Sequence, residues 1–449
     1  MKNADKTKIL LFFGLCLVAV SYFFILSFFR YDDTVSLTAW CVTFWDSLFS
    51  GNLGEFFTYQ LNNYRGAFHS AYHVAYITYF PWIIWNFPLW LTHPLSNSPD
   101  VTGMKCIIWS KLFLALCLVI LCIYVYKIMM YITESDFVFS LGAVLLVAGS
   151  LEMLDSVAYA GQDEIVYLSA FVIALHQFIK GKRVSGFVFS VLAVTLCPLM
   201  IIPTMTIYVL LEKRLLRLLL GAIICVIPTL LFGLAYRNDA AYQLGKSSLN
   251  TIGTFQIIMN KGTIDTTIGP APIAVVLLVI LLFVAYMSDA SEDDIPKVLI
   301  YYVAISLFAL CFLTYSIWYR YCLYVPFFVL MIGLSKDNRN IKVFLLELIF
   351  VFRFIAALSN FYNFSYSFLS NIGRQFLGDK QGTMVDSTSL IFDSTFYVIR
   401  TVVLAAALIM FTICNKRFDK KVKFSIPWKA VVGFVPFVGL ALCIVVIVL

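Results

Sequence analysis

ILLFFGLCLVAVSYFFILSFF, residues 9–29, followed at once by Arg30-Tyr31-Asp32-Asp33, is the stretch on which the fold turns. About 21 residues without a charge suffice for a helix to cross roughly 30 Å of hydrocarbon. The run carries no small-residue cleavage site, so it reads as a retained first span and not as a removable signal peptide. Two adjacent carboxylates where the backbone leaves the bilayer are costly, and acids in such places usually pair or carry function.

The rest of the chain extends this reading. It has 449 residues, of which 61% are hydrophobic and 13% charged, with a mean hydropathy of +0.91; a water-soluble domain could neither expose nor bury that much apolar surface. The net charge of +7 does not point to nucleic acid, because the cations sit in short runs beside the spans: Lys2, Lys6 and Lys8; Lys180, Lys182 and Arg183; Lys213, Arg214 and Arg217; Lys336, Arg339 and Lys342; Lys416, Arg417, Lys420, Lys421 and Lys423. Short positive loops stay in the cytoplasm, which puts the amino terminus inside. Spans are then expected near 9–29, 105–131, 137–157, 163–180, 184–198, 199–212, 215–236, 271–288, 297–314, 320–335, 341–359, 390–414 and 429–449. The fold class is all-α: a polytopic membrane helical bundle of about thirteen crossings, with an outer loop carrying interfacial helices and the carboxyl terminus outside. Segments 184–198 and 199–212 are short, and Pro198 and Pro203 break the helix between them, so they read as a hairpin of short helices. Residues 71–90 are apolar enough to span, but Tyr72, Tyr76, Tyr79, Trp82, Trp85 and Trp90 are types that settle at headgroup level, and Pro81 and Pro88 interrupt a straight helix. That segment is expected to lie in the interface or re-enter.

On this path the loops 30–104, 237–269 and 360–389 share the outer face with the turns at 159–164 and 315–321. Each candidate there has a plain reading beside a chemical one. Asp32 and Asp33 are either a solvated helix end paired with Arg30, or a like-charged pair in which one carboxylate is tuned to accept a proton. In Gly161-Gln162-Asp163-Glu164 the acids suit a helix's first turn, yet they also stand at the membrane boundary beside an amide that can bond a sugar or phosphate oxygen. Tyr315-Ser316-Ile317-Trp318-Tyr319-Arg320-Tyr321 is either an aromatic belt with one snorkelling arginine or a guanidinium placed to hold a phosphate bidentately. His69 and His73, four apart, make an incomplete metal site, and no metal is expected. No Gly-x-x-x-x-Gly-Lys loop occurs, and the inner loops are too short for a nucleotide domain. The eleven cysteines include no Cys-x-x-Cys, and no essential disulfide is expected.

In order and spacing these pieces resemble the GT-C superfamily of integral-membrane glycosyltransferases, in particular its bacterial mannosyltransferase-like branch. Members place an acidic pair after the first span, as Asp32-Asp33 stands; an outer aromatic segment like Tyr79-Phe80-Pro81-Trp82; a Gly-Gln motif opening a span, like Gly161-Gln162; and Arg-Tyr before a proline, like Arg320-Tyr321 and Pro326. The likeness covers residues 9–335, with 336–449 as additional C-terminal spans. It implies sugar transfer from a polyprenyl-phosphate carrier to a glycan, lipid or protein acceptor on the extracytoplasmic side of the cell membrane, with inversion and without cofactor. Asp32 is then expected as the base, with Asp33 close behind, Asp163 orienting a hydroxyl, Arg320 neutralising the phosphate, and Gln162, Glu164, Tyr79 and Tyr321 around the substrate. Related enzymes often carry a lysine where this chain reads Leu196-Cys197-Pro198-Leu199, so phosphate binding falls to Arg320, Lys246 or Lys261. Two other readings are an ion-coupled transporter or lipid flippase, which predicts charges near the midplane and an internal repeat, and a polysaccharide polymerase or ligase, which would use arginines and a histidine in a long outer loop.

Overall fold

A computed structural model describes residues 2–28, 32–63, 76–93, 101, 103–244, 263–266, 269–288, 291, 294–313, 318–334, 337–358, 393–415 and 424–448. Among the described residues the protein is all-α apart from one antiparallel ribbon of β1 (Thr263–Thr266) on β2 (Gly269–Pro272). Its first helix, α1 (Lys2–Phe28), carries the apolar run 9–29 almost to its end. The helix α2 (Asp32–Phe49) begins at the acidic pair and is buried from Thr34 to Phe44. Short helices α3 (Phe56–Asn63), α4 (Tyr76–Trp85) and α5 (Phe87–Thr92) fold over it.

The central element is α6 (Met104–Ile132), whose 29 residues extend about 43 Å at 1.5 Å per residue. It packs on α7 (Phe137–Gly149) and on α9 (Glu164–Ile179). Between those two, α7 breaks at Ser150, whose hydroxyl accepts from the Met153 N–H, and the chain resumes as α8 (Leu151–Met153) running into a π-helical turn, Leu154–Tyr159. The two halves are bent by 47°. The last helix, α18 (Trp428–Val448), returns to pack on α1 and α7. A Cβ on Gly149 would lie 2.5 Å from Val435 Cγ1 and 3.3 Å from Val18 Cγ2. Such small residues let helices approach where the bilayer gives no hydrophobic drive to associate.

The remaining helices are α10 (Arg183–Leu196), α11 (Ile201–Leu211), α12 (Leu215–Ala235), α13 (Ile273–Met287), α14 (Ile295–Leu313), α15 (Val325–Ile332), α16 (Arg339–Leu358) and α17 (Asp393–Cys414). α12 exposes Leu216, Leu219, Ile223, Leu230 and Leu234, a face that only lipid or another apolar surface can cover.

The expected thirteen crossings are not reproduced. Among the described residues three helices are long and apolar enough to span, Lys6–Ser27, Met104–Ile132 and Leu215–Ala235, or four if the bent pair counts as one; the other apolar helices run 10–17 residues. Long apolar runs in the sequence are cut by local breaks that hydropathy does not register. Ser150 caps a new helix within the expected span 137–157. A 3-10 turn, Trp318–Tyr324, takes the first half of the expected span 320–335 and leaves α15 eight residues. Pro198 opens another such turn between α10 and α11, where the two prolines imply a break. The chain is a helical membrane protein by these lengths and compositions. Within the aromatic segment 71–90, Trp82 is packed against protein at 1% exposure, with its indole N–H on the Ser110 carbonyl at 3.0 Å. Trp85 likewise donates to the Trp109 carbonyl at 2.9 Å.

Candidate functional site

The turn joining α8 to α9 is the hub. Gly161 has φ +59°, and a Cβ there would stand 2.5 Å from Thr34 Oγ1 and 3.0 Å from Lys111 Cε. Glycine is required both for the left-handed backbone and for the space. Through this gap Thr34, the residue after the acidic pair, donates its hydroxyl to the Ala160 carbonyl at 2.6 Å. Asp32 and Asp33 occupy the first turn of α2, where the helix dipole favours carboxylates; their side chains lie outside the described residues, as do Arg30, Tyr31, His69, His73, Lys246 and Lys261.

Lys111 was not singled out by the sequence. It is fully buried, and its ammonium donates to the carbonyls of Ala158 at 2.7 Å and Tyr159 at 3.1 Å, where the π-helical turn leaves backbone acceptors unpaired within the helix. A lysine seven residues into α6 gives no sequence signal beyond ordinary snorkelling.

On the far side of the turn, Glu164 is 2% exposed, and its Oε1 lies 3.4 Å from Arg320 Nε. Arg320 comes from the 3-10 turn that α14 enters, and its side chain keeps 28% of its surface exposed. The sequence assigns Arg320 to a phosphate; in the structure one edge of the guanidinium faces Glu164. Gln162 is buried, with its amide 3.5 Å from the Ala160 carbonyl, so it turns into its own loop. Asp163 stands at the N-cap of α9 without a side-chain cap bond. Cys197, in the stretch Leu196–Leu199, lies within electrostatic reach of Arg320, Asp163 and Glu164. Tyr321 belongs to the same 3-10 turn as Arg320, but its side chain is outside the described residues. Tyr79 does not join this group in any described contact; it packs edge-on against Trp40, ring centroids 5.8 Å apart.

Behind the turn lies a second set of polar groups that the sequence reading passed over. Glu152 on α8 and Asp155 on the π-helical turn are buried at 6% and 4% exposure; Glu152 interacts with the Tyr324 hydroxyl, and Cys322 sits between Glu164, Ser156 and Glu152. This pair sits buried at a helix break. Their signal in the sequence is two acids in Leu151-Glu152-Met153-Leu154-Asp155, inside an otherwise apolar run.

The start of α3 and the turn after α12 are tied by Asp239. Its Oδ2 accepts from the N–H groups of Phe57 at 2.9 Å and Thr58 at 3.3 Å, and its Oδ1 from the Thr58 hydroxyl at 2.8 Å and the Tyr242 N–H at 3.1 Å. One carboxylate thus caps α3 and fastens it to the loop after α12. Among the described residues no group of three or more His, Cys, Asp or Glu is arranged to hold a metal ion. Compared with protein-family models, with curated proteins and with solved structures, the chain matches none.

Proposed function

We propose that the protein is a membrane glycosyltransferase that moves a sugar from a polyprenyl-phosphate carrier to an acceptor at the end of the bundle where α2 and α9 begin. The observation that carries this reading is the meeting of three segments far apart in the chain: Thr34 bonds to Ala160, and Glu164 of the same turn pairs with Arg320. A lipid phosphate is already a stabilised leaving group. The protein then needs a base for the acceptor hydroxyl, a cation for the departing phosphate, and close positioning of the two substrates. Asp32, or Asp33 beside it, serves as the base; Arg320, steadied by Glu164, presents its remaining N–H groups to the phosphate; Asp163 orients a hydroxyl. Direct displacement inverts the anomeric carbon, whereas retention would need a second, nucleophilic carboxylate.

Transfer from a purified polyprenyl-phosphate sugar in detergent or proteoliposomes tests this. Asp32→Asn is expected to lower turnover by about 10²-fold or more with donor binding nearly intact, and Asp33→Asn to act more mildly. The reverse order would exchange the two roles. If neither variant slows transfer, the acidic pair is not the catalytic base.

One observation favours a second reading, ion-coupled transport: the 47° break in the α7–α8 pair carries the buried Glu152 and Asp155, and broken helices with buried acids are the usual build of transporter sites. A substrate flux in proteoliposomes that Glu152→Gln and Asp155→Asn abolish, with no transfer activity, would establish it over the enzyme reading.

A further inference from the structure

At the opposite end of the bundle, where α6 and α9 finish, four basic side chains gather around aromatic rings. Lys127 stands over the Tyr124 ring at 4.6 Å and Lys180 over the Tyr131 ring at 4.2 Å. The Tyr124 ring meets that of His176 edge-on at 5.2 Å, and the charged groups acting on His176 are Lys127, Lys180 and Lys182. All three lysines are exposed. Among the described residues none of their ammoniums pairs with a carboxylate, and His176 Nδ1 is buried without a hydrogen-bond partner.

Three other cations at this end have partners. Lys213 donates to the carbonyls of Ala285, Tyr286 and Ser288; Arg217 pairs with Glu212 at 3.0 Å and Arg339 with Asp136 at 2.9 Å. Around His176, by contrast, positive charge collects with no carboxylate partner among the described residues, and an anion placed there would relieve the mutual repulsion.

Apolar surface leads away from the cluster on both sides. On α10, starting two residues after Lys182, Val184, Val188 and Leu192 are 79%, 59% and 42% exposed and four apart, a single stripe. On α6, Ile123 and Val119 continue the line of Lys127 at the same spacing, and both line an apolar cleft of about 540 Å³ between α1, α6 and α7. Tyr22 and Cys122 form part of its floor.

We infer that this corner binds one anionic, two-chain phospholipid. Its phosphate lies among Lys127, Lys180 and Lys182, one chain follows the Val184–Val188–Leu192 stripe, and the other passes Ile123 into the cleft. Charge complementarity selects the headgroup, and the aliphatic stripes select a lipid over a soluble phosphate. Ammoniums stacked on tyrosine faces are held at the depth where headgroups sit. The inference is independent of the proposed transfer chemistry, since none of these residues belongs to that site.

The test uses the full chain purified in a neutral detergent, with phosphatidylglycerol, phosphatidylcholine or inorganic phosphate added, reading the thermal midpoint and the lipid retained per protein by native mass spectrometry. Phosphatidylglycerol should raise the midpoint and be retained; the other two should do neither. Each ammonium near an anionic surface is worth roughly fivefold in affinity, so the triple variant Lys127→Ala, Lys180→Ala, Lys182→Ala should bind phosphatidylglycerol about 10²-fold more weakly. The corresponding triple arginine variant should retain it, as should Arg217→Ala, a cation of the same end outside the cluster. Equal effects of the two phospholipids on the wild-type chain, an equal effect of inorganic phosphate, or undiminished binding by the triple alanine variant would each overturn the inference.

Discussion

At the scale of single residues, two glycines with left-handed backbones separate strain from space. Gly161 (φ +59°) and Gly181 (φ +72°) both lose the freedom that only glycine has, but nothing lies within 4 Å of a Cβ on Gly181, whereas one on Gly161 meets Thr34 and Lys111. Alanine at Gly181 is expected to cost about 1–2 kcal/mol. At Gly161 the same backbone term is joined by overpacking of about 1–3 kcal/mol, so Gly161→Ala should lower the thermal midpoint clearly more than Gly181→Ala. Equal shifts would mean that the turn relaxes away from α2. Arg320→Lys probes the other wall of the site. It keeps the charge but not the planar fork, and charge-assisted bonds are worth roughly 1.5–3 kcal/mol, so transfer efficiency should drop about tenfold or more. An unchanged value would remove Arg320 from the donor phosphate. The sequence made Arg320 and the Gly161–Glu164 motif legible as candidates. It left Lys111 unread, because the carbonyls that hold its ammonium come from a turn some fifty positions away in the chain.

At the scale of elements, the helix ends explain more than the helix middles. Asp239 satisfies two N–H groups at the start of α3 and one at Tyr242. Removing it leaves buried donors unpaired, at about 1–3 kcal/mol for each poorly hydrated group. Asp239→Ala should therefore destabilise the chain by about 3 kcal/mol, while Asp239→Asn, which keeps an acceptor oxygen, should cost less; the ordering is read from unfolding midpoints in detergent. Asp136 offers a parallel case, since it caps α7 through the Phe139 N–H at 3.1 Å and pairs with Arg339. The helical class of these elements follows from their apolar runs. Their lengths do not, because a break such as the one capped by Ser150 or the 3-10 turn Trp318–Tyr324 lies within an apolar run and leaves its hydropathy unchanged.

At the scale of the whole molecule, helix polarity assigns residues to two ends. Glu134, Lys182 and Arg214 lie in turns at the end where α6, α9 and α11 finish, and Gln162 and Arg237 at the other; Asn52 goes with the second group because Asp239 holds Phe57 and Thr58 beside the end of α12. Single cysteines at the exposed members, Glu134, Lys182, Asn52 and Arg237, should label from two sides of the membrane: the first pair from the cytoplasm, in keeping with their positive loops, and the second pair from outside. Labelling of Asn52 and Lys182 from one side would break both the assumed topology and the placing of the candidate site on the outer face.

The sequence by itself determined that this is a helical membrane protein, because hydrocarbon demands apolar side chains and internally bonded backbone whatever the neighbours are. It also marked the acids and the arginine at the ends of apolar runs, since charge at such boundaries stands out from composition alone. Which of these meet was decided only by tertiary structure. The glycine turn against Thr34 and the pairing of Glu164 with Arg320 depend on close approach between segments more than a hundred residues apart, and no local pattern carries that information. The buried Glu152 and Asp155 became visible for the same reason: hydropathy averages them into an apolar run, whereas packing shows them enclosed at a helix break.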